Sequence, residues 1–206
     1  MENVIEIKGL KKSFGNTTVL KNINLTVQKG ETIVVLGKSG QGKSVMIKCI
    51  VGLIQPDEGS LKVFGNEISG MKEDELKKTR TRIGFLFQGG ALYDSMTVRE
   101  NLAFSLKRVL KIDNEADIET RSKEALEAVG LSDAIDKMPS DLSGGMRKRM
   151  ALARTLIVKP EILLYDEPTT GLDTITSKEI SLLMLEIQKK ISPALSLLHT
   201  ICNAPG

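Results

Sequence analysis

Eight consecutive residues, Gly37, Lys38, Ser39, Gly40, Gln41, Gly42, Lys43 and Ser44, narrow the possible folds more than any other stretch of this chain. They spell Gly-x-x-x-x-Gly-Lys-Ser, the pattern of a phosphate-binding loop. Such a loop works in one setting, between the end of a strand and the start of a helix. There its glycines let backbone N–H groups turn inward, and the helix N-terminus adds partial positive charge. The flanks supply that setting. Thr32 to Leu36 is a continuous, largely β-branched run, expected as a strand buried on both faces, and about Ser44 to Leu53 reads as a helix. In that geometry Lys43 reaches the outer phosphates of a nucleoside triphosphate, and Ser44 offers its hydroxyl to Mg2+.

Two further segments carry chemistry. Ile162 to Tyr165 is an apolar core strand that ends in Asp166, Glu167 and Pro168, so it delivers carboxylates to the carboxyl end of a sheet, where ligands bind in open α/β folds. Asp166 is suited to hold Mg2+ through water, and Glu167 to orient or deprotonate an attacking water. Alone, an Asp-Glu pair reads as a solvated loop; beside a phosphate loop it reads as a catalytic pair. Leu142, Ser143, Gly144, Gly145 and Met146 precede a good helix former, Arg147 to Ala153, and make a second anion site at a helix start. One nucleotide needs only one phosphate loop, so a second site requires its own explanation.

The rest of the chain alternates strands and helices. Residues 3–8 and Val19 to Val27 flank a turn at Gly15 and Asn16 and read as a hairpin or meander. Leu61 to Phe64 and Ile83 to Phe87 are expected as a strand pair. Tyr93 to Met138 is mostly helical, with Val98, Leu102, Leu106 and Val109 at helical spacing, and Ser177 to Lys190 is an amphipathic helix. Alternation of this kind implies a mostly parallel sheet with helices packed on it, joined by an antiparallel N-terminal part. The net charge of +3 over 206 residues is too small to point to nucleic acid as a partner. Cys49 and Cys202 have neither disulfide nor metal-ligand spacing, which fits a reducing cytosol. Charged Glu2, Glu6 and Lys8 break the first apolar run, so no secretory leader is expected.

The phosphate loop, Leu-Ser-Gly-Gly and hydrophobic-Asp-Glu-Pro, in this order, closely resemble the ABC-transporter ATPases over residues 1 to about 190. The resemblance implies an α/β P-loop NTPase with a mostly parallel core sheet, an N-terminal antiparallel β subdomain and an inserted helical subdomain. It divides one domain into a nucleotide-binding core (1–88 and 146–190) and a helical subdomain (89–145). It further implies ATP and Mg2+ as ligands and a head-to-tail homodimer. In that dimer Ser143, Gly144 and Gly145 of one chain cap the γ-phosphate held by the 37–44 loop of the other. Phe14 matches the aromatic that stacks on adenine. Gln88 matches the glutamine that senses Mg2+ and attacking water beside the groove for a membrane subunit, and Asp173 the aspartate that crosses the dimer. The run from Phe85 to Val98, Met146 in place of the usual glutamine, and Thr174, Ile175 and Thr176 are similar to the ATPase of Mla-type phospholipid transporters. That similarity implies an integral permease and an MCE-domain lipid-binding protein as partners, and a cytoplasmic location on the inner face of the membrane. The alternatives are a soluble ATPase of the same family and a nucleotide-binding remnant without turnover.

Residues 191–206 depart from the family pattern. Pro193 stands where a central strand belongs, and proline is disfavoured there. Permissible codons for this tail, read from the third base of each, can spell Ser-Ile-Ile-Ile-Thr-His-Asp. That is a buried strand followed by the family's His-Asp switch. This reading implies a one-base loss near the codons of Lys189 and Lys190 and a truncated product of reduced stability and activity; a divergent tail or gene fragment is the alternative. His199, the sole histidine, falls where the switch belongs and is a third catalytic candidate, although its strand reads as rewritten.

Overall fold

A computed structural model describes residues 2–38, 40–87, 89–191 and 196–202, with side chains as far as residue 187. Ser39, Gln88 and Pro193 lie outside the described residues. The chain divides into two compact units: Met1–Ile83, Glu161–Glu167 and Ala194–Gly206 form the first, and Gly84–Pro160 with Pro168–Pro193 the second. Among the described residues, no helix is long and apolar enough to cross a membrane.

The first unit holds an antiparallel sheet of β1 (Asn3–Phe14), β2 (Thr17–Gln28), β4 (Glu58–Val63) and β5 (Asn66–Glu67), in the order β2-β1-β4-β5. Side chains two apart point to one face of a strand, so Ile5 and Ile7 of β1 bury the same face as Leu61 and Val63 opposite them. The expected pairing of Leu61–Phe64 with Ile83–Phe87 is not the one formed. β4 pairs with β1 and β5 instead, because the tight turn at Phe64 and Gly65 folds the chain straight back.

The parallel part of this unit consists of β3 (Thr32–Gly37), β7 (Ile162–Asp166) and β8 (Ser196–Cys202). β8 lies between the other two, parallel to both. The strand expected to be rewritten therefore forms. Leu197, Leu198, Thr200 and Ile201 have suitable β propensity, and neighbours on both sides offer complete ladders. Every residue of β7 is buried, as expected of a core strand. β3 is a correction. Val34 is 47% exposed and Leu36 60%, because among the described residues β3 pairs with β8 alone and its Thr32–Val34–Leu36 face is uncovered. Helix α1 (Lys43–Ile50) packs on β7 and buries Met46, Ile47, Cys49 and Ile50, roughly 1.5–3 kcal/mol for each large apolar side chain.

Helix α2 (Glu73–Thr81) has no counterpart in the sequence reading. It buries only Leu76 and Thr79, so its apolar period is faint. Its acids lie in the first turn and its bases in the last, which suits the helix dipole. Arg80 reaches back from it to the carbonyls of Val51 and Gly52 beyond the end of α1 (2.8 and 3.0 Å). Arg82 stacks on Phe64, 3.6 Å from the ring centre, and grips Glu161 with two hydrogen bonds of 2.5 and 2.9 Å. Strand β6 (Ile83–Leu86) begins at the last residue of this segment.

The second unit is helical: α3 (Val98–Ser105), continued by a wide turn over Leu106–Leu110, then α4 (Glu115–Ala128), α5 (Gly144–Leu156) and α6 (Thr174–Ile191). Its starts are set by caps. Thr97 and Glu100 form a reciprocal capping box at α3, Asn114 caps α4, and Ser143 caps α5. α5 starts directly after Ser143, as expected, and α6 begins three residues earlier than expected, because Asp173 accepts the free N–H groups of its first turn.

Candidate functional site

In the first unit, β3 runs directly into the phosphate loop and α1 leaves it. Gly42, which caps α1, has φ 86°, a left-handed conformation that glycine alone adopts without strain. A Cβ there would also lie 2.8 Å from Val19 and 2.9 Å from Leu20. The loop is bound internally. The Lys38 N–H donates to Gln41 Oε1 (2.8 Å), and Lys43 Nζ donates to the carbonyls of Gly37 and Lys38 (2.8 and 2.9 Å).

The carboxylates at the end of β7 close on this loop. Ser44 Oγ donates to Asp166 Oδ1 at 2.8 Å, across 122 positions of sequence. Lys43 Nζ forms an ion pair with Glu167 Oε1 at 3.2 Å, with side-chain exposures of only 6% and 15%. Glu167 has φ 47°, a left-handed conformation uncommon outside glycine. The structure thus brings together Gln41, Lys43, Ser44, Asp166 and Glu167. A hydroxyl and a carboxylate oxygen side by side are hard oxygen donors of the kind Mg2+ takes. Among the described residues, no cluster of three or more His, Cys, Asp or Glu could hold a metal. Mg2+ at Ser44 and Asp166 would have room for phosphate oxygens and water among its further ligands.

Phe14 ends β1 and is 49% exposed, so it is not a core aromatic. Its approach is fixed by a residue the sequence reading missed, Asp57. That carboxylate accepts from Lys12 Nζ and from the Ser13 N–H, both at 2.6 Å. Lys12, followed by the Ser13 amide, holds the Asp57 carboxyl below its ordinary range. His199 stands opposite Val34 and Tyr165, one position before Thr200, which faces Asp166, and three before Cys202, which faces Gly37. Its backbone is thus in mid-strand rather than at the end where the phosphate loop begins.

The second unit brings Ser143, Gly144 and Gly145 to Asp173. Ser143 Oγ accepts from the Met146 N–H (3.3 Å). Asp173 Oδ1 accepts the N–H groups of Ile175 and Thr176, both at 3.0 Å, and Oδ2 accepts the Thr176 hydroxyl at 2.6 Å. Those bonds, the Thr176 hydroxyl first, hold the Asp173 carboxyl below its ordinary range. Between them lies a cavity of about 570 Å³ lined by Ser143, Gly145, Arg149, Leu172, Asp173 and Glu179, among others. Thr176 was missed as a site residue, although Asp at a helix start is a legible N-cap that accepts the N–H three residues on.

This arrangement of a phosphate loop, a strand-end Asp-Glu pair and a capped Ser-Gly-Gly helix is that of an ATP-binding cassette. The family model described as ABC transporter matches residues 20–170, and the chain belongs to that family. It is 43% identical over 187 residues to the probable ribonucleotide transport ATP-binding protein mkl of Mycobacterium leprae, covering 91% of this chain and 54% of that one. It is 44% identical to the chloroplastic protein TRIGALACTOSYLDIACYLGLYCEROL 3 of Arabidopsis thaliana (84% and 52%). It is 41% identical to the methionine import ATP-binding protein MetN of Rhizobium johnstonii (92% and 52%). The chain spans about half the length of these curated relatives. Among solved structures, cbiO1 of Clostridium perfringens, part of an ABC transporter complex, superposes with a TM-score of 0.85 at 29% identity (98% and 80%). The cassette MJ0796, solved as a dimer in a post-hydrolysis state with ADP and Pi, gives 0.81 at 31% identity (95% and 87%).

Proposed function

We propose that this chain is the ATP-binding and ATP-hydrolysing subunit of a membrane transporter. The observation that carries the reading is the meeting of Ser44 with Asp166 and of Lys43 with Glu167, which joins a phosphate loop to a strand-end carboxylate pair. The loop N–H groups and Lys43 bind the phosphates, and Phe14 offers its exposed ring to the base. Ser44 and Asp166 would hold Mg2+, which would supply positive charge against the phosphates; Gln88 is a further candidate for that role by resemblance alone. Once phosphate draws Lys43 away, Glu167 is free to orient and deprotonate water. Ser143, Gly144, Gly145 and Asp173 serve the nucleotide of a second copy, so that two ATP join two chains. That reading is supported by the dimeric state of the cassette MJ0796.

The coupled partner in this reading is an integral permease, with the chain on the cytoplasmic face of the membrane. The names of the relatives point to different molecules: ribonucleotide transport, methionine import and trigalactosyldiacylglycerol. We take lipid as the cargo, with an MCE-domain protein as a further partner, on the strength of the segment from Phe85 to Val98. A second reading, ATP binding without turnover, is favoured by the mid-strand register of His199.

The experiment is a comparison of the wild type with Glu167→Gln. ATP affinity is expected to be retained, with turnover reduced about 100-fold or more, as for loss of a general base. Equal turnover in both would remove Glu167 from the mechanism; binding with no turnover in the wild type would establish the second reading.

A further inference from the structure

Thr176 touches both polar elements of the second unit. Its hydroxyl donates to Asp173 Oδ2 at 2.6 Å, while its N–H and that of Ile175 occupy Oδ1. Its methyl faces the other way. A Cβ built on Gly145 would lie 2.8 Å from Thr176 Cγ2, so the two can approach only because residue 145 has no side chain. The neighbouring Gly144 is different, since a Cβ there would meet Leu172 at an ordinary 3.5 Å. Threonine carries a hydroxyl and a methyl on one Cβ, and its branched side chain is stiff at χ1. One rotamer therefore satisfies both contacts. Serine lacks the methyl and valine the hydroxyl.

We infer that Thr176 is a positioning residue that fixes the Asp173 carboxylate to the Gly145 turn, so that the two elements present one rigid surface to a nucleotide. The inference rests on the reading above, in which Ser143–Gly145 and Asp173 serve the ATP of a second copy. It adds the residue that holds them in register. Arg149 and Glu179, the other charged groups on this cavity, pair with each other at 3.1 Å rather than with Asp173. The hydroxyl of Thr176 is thus the nearest control on the carboxylate.

The test compares Thr176→Val and Thr176→Ser in the full chain, with ATP turnover, affinity for a non-hydrolysable ATP analogue and the 13C titration of the Asp173 carboxyl as readouts. Thr176→Val keeps the shape and is expected to lose turnover about 10-fold or more, a misplacement-sized effect. Analogue affinity should stay within about twofold, because the 37–44 loop belongs to the other unit. Its Asp173 titration should move up toward the ordinary range. Thr176→Ser keeps the hydroxyl but not the methyl that meets Gly145, so its turnover should fall by no more than about threefold, less than in Thr176→Val, with the titration unmoved. Equal turnover in Thr176→Val and wild type, or equal losses in both variants, would overturn the inference while leaving the proposed function intact. A wild type that binds no ATP would overturn both.

Discussion

Glu167 holds a backbone conformation that costs of order 1–3 kcal/mol for a residue with a side chain. It does so one residue past a wholly buried strand, with its carboxylate on Lys43. Strain persists where surrounding contacts over-determine it, and Lys43 is itself fixed by two loop carbonyls. Other carboxylates act on stability through their protonation. The Lys12 ammonium depresses the Asp57 carboxyl, the Arg82 guanidinium depresses that of Glu161, and the Thr176 hydroxyl depresses that of Asp173. A depressed folded-state pKa gives stability that is present above the unfolded-state pKa and lost as pH falls through the folded one. Thermal unfolding midpoints should therefore be flat from neutral pH down to about 5 and fall below about pH 4. A midpoint that stays level to pH 3 would contradict these three assignments.

At the scale of elements, the loop before α3 depends on one buried amide. Asn101 is fully buried; its Oδ1 accepts the Tyr93 N–H, and its Nδ2 donates to the carbonyls of Tyr93, Met96 and Thr97. Asn101→Ala would strand those buried groups and is expected to cost about 2–4 kcal/mol, measured by denaturant unfolding. Thr97→Ala, which removes only a cap, should cost about 1 kcal/mol. Similar losses for the two would show that the amide is not the anchor.

Element by element, what could be read from the chain follows how local the cause is. The phosphate loop and β7 were legible because spacing and composition decide them within a few residues. α2 was not, since a helix held by Arg80 and its dipole shows little apolar period. The uncovered face of β3 was misjudged because a β-branched run looks alike in a central and an edge strand. Its neighbours are chosen by residues far away. For the candidate site, the constituent residues were legible, but the Ser44–Asp166 bond and the role of Asp57 link segments distant in sequence.

For the molecule as a whole, the exposed Val34 and Leu36 make an apolar strip on an edge strand, a surface prone to self-association. Val34→Thr with Leu36→Thr removes apolar surface already in water. Stability should change by less than about 0.5 kcal/mol per site, while the concentration at which light scattering rises should increase. A large stability loss would mean that the face is covered in solution.

The placing of β8 has a consequence for how the chain is made. β3 and β7 are not neighbours; the strand synthesised after both must slide between them. During translation the phosphate loop and its carboxylates therefore exist before the ladder that aligns them. Two halves of a sheet wait with open edges, an arrangement whose long-range closure is slow and exposed to mispairing. Competence to bind nucleotide should accordingly appear only once the seventh residue of β8 has been made, rather than with the loop itself.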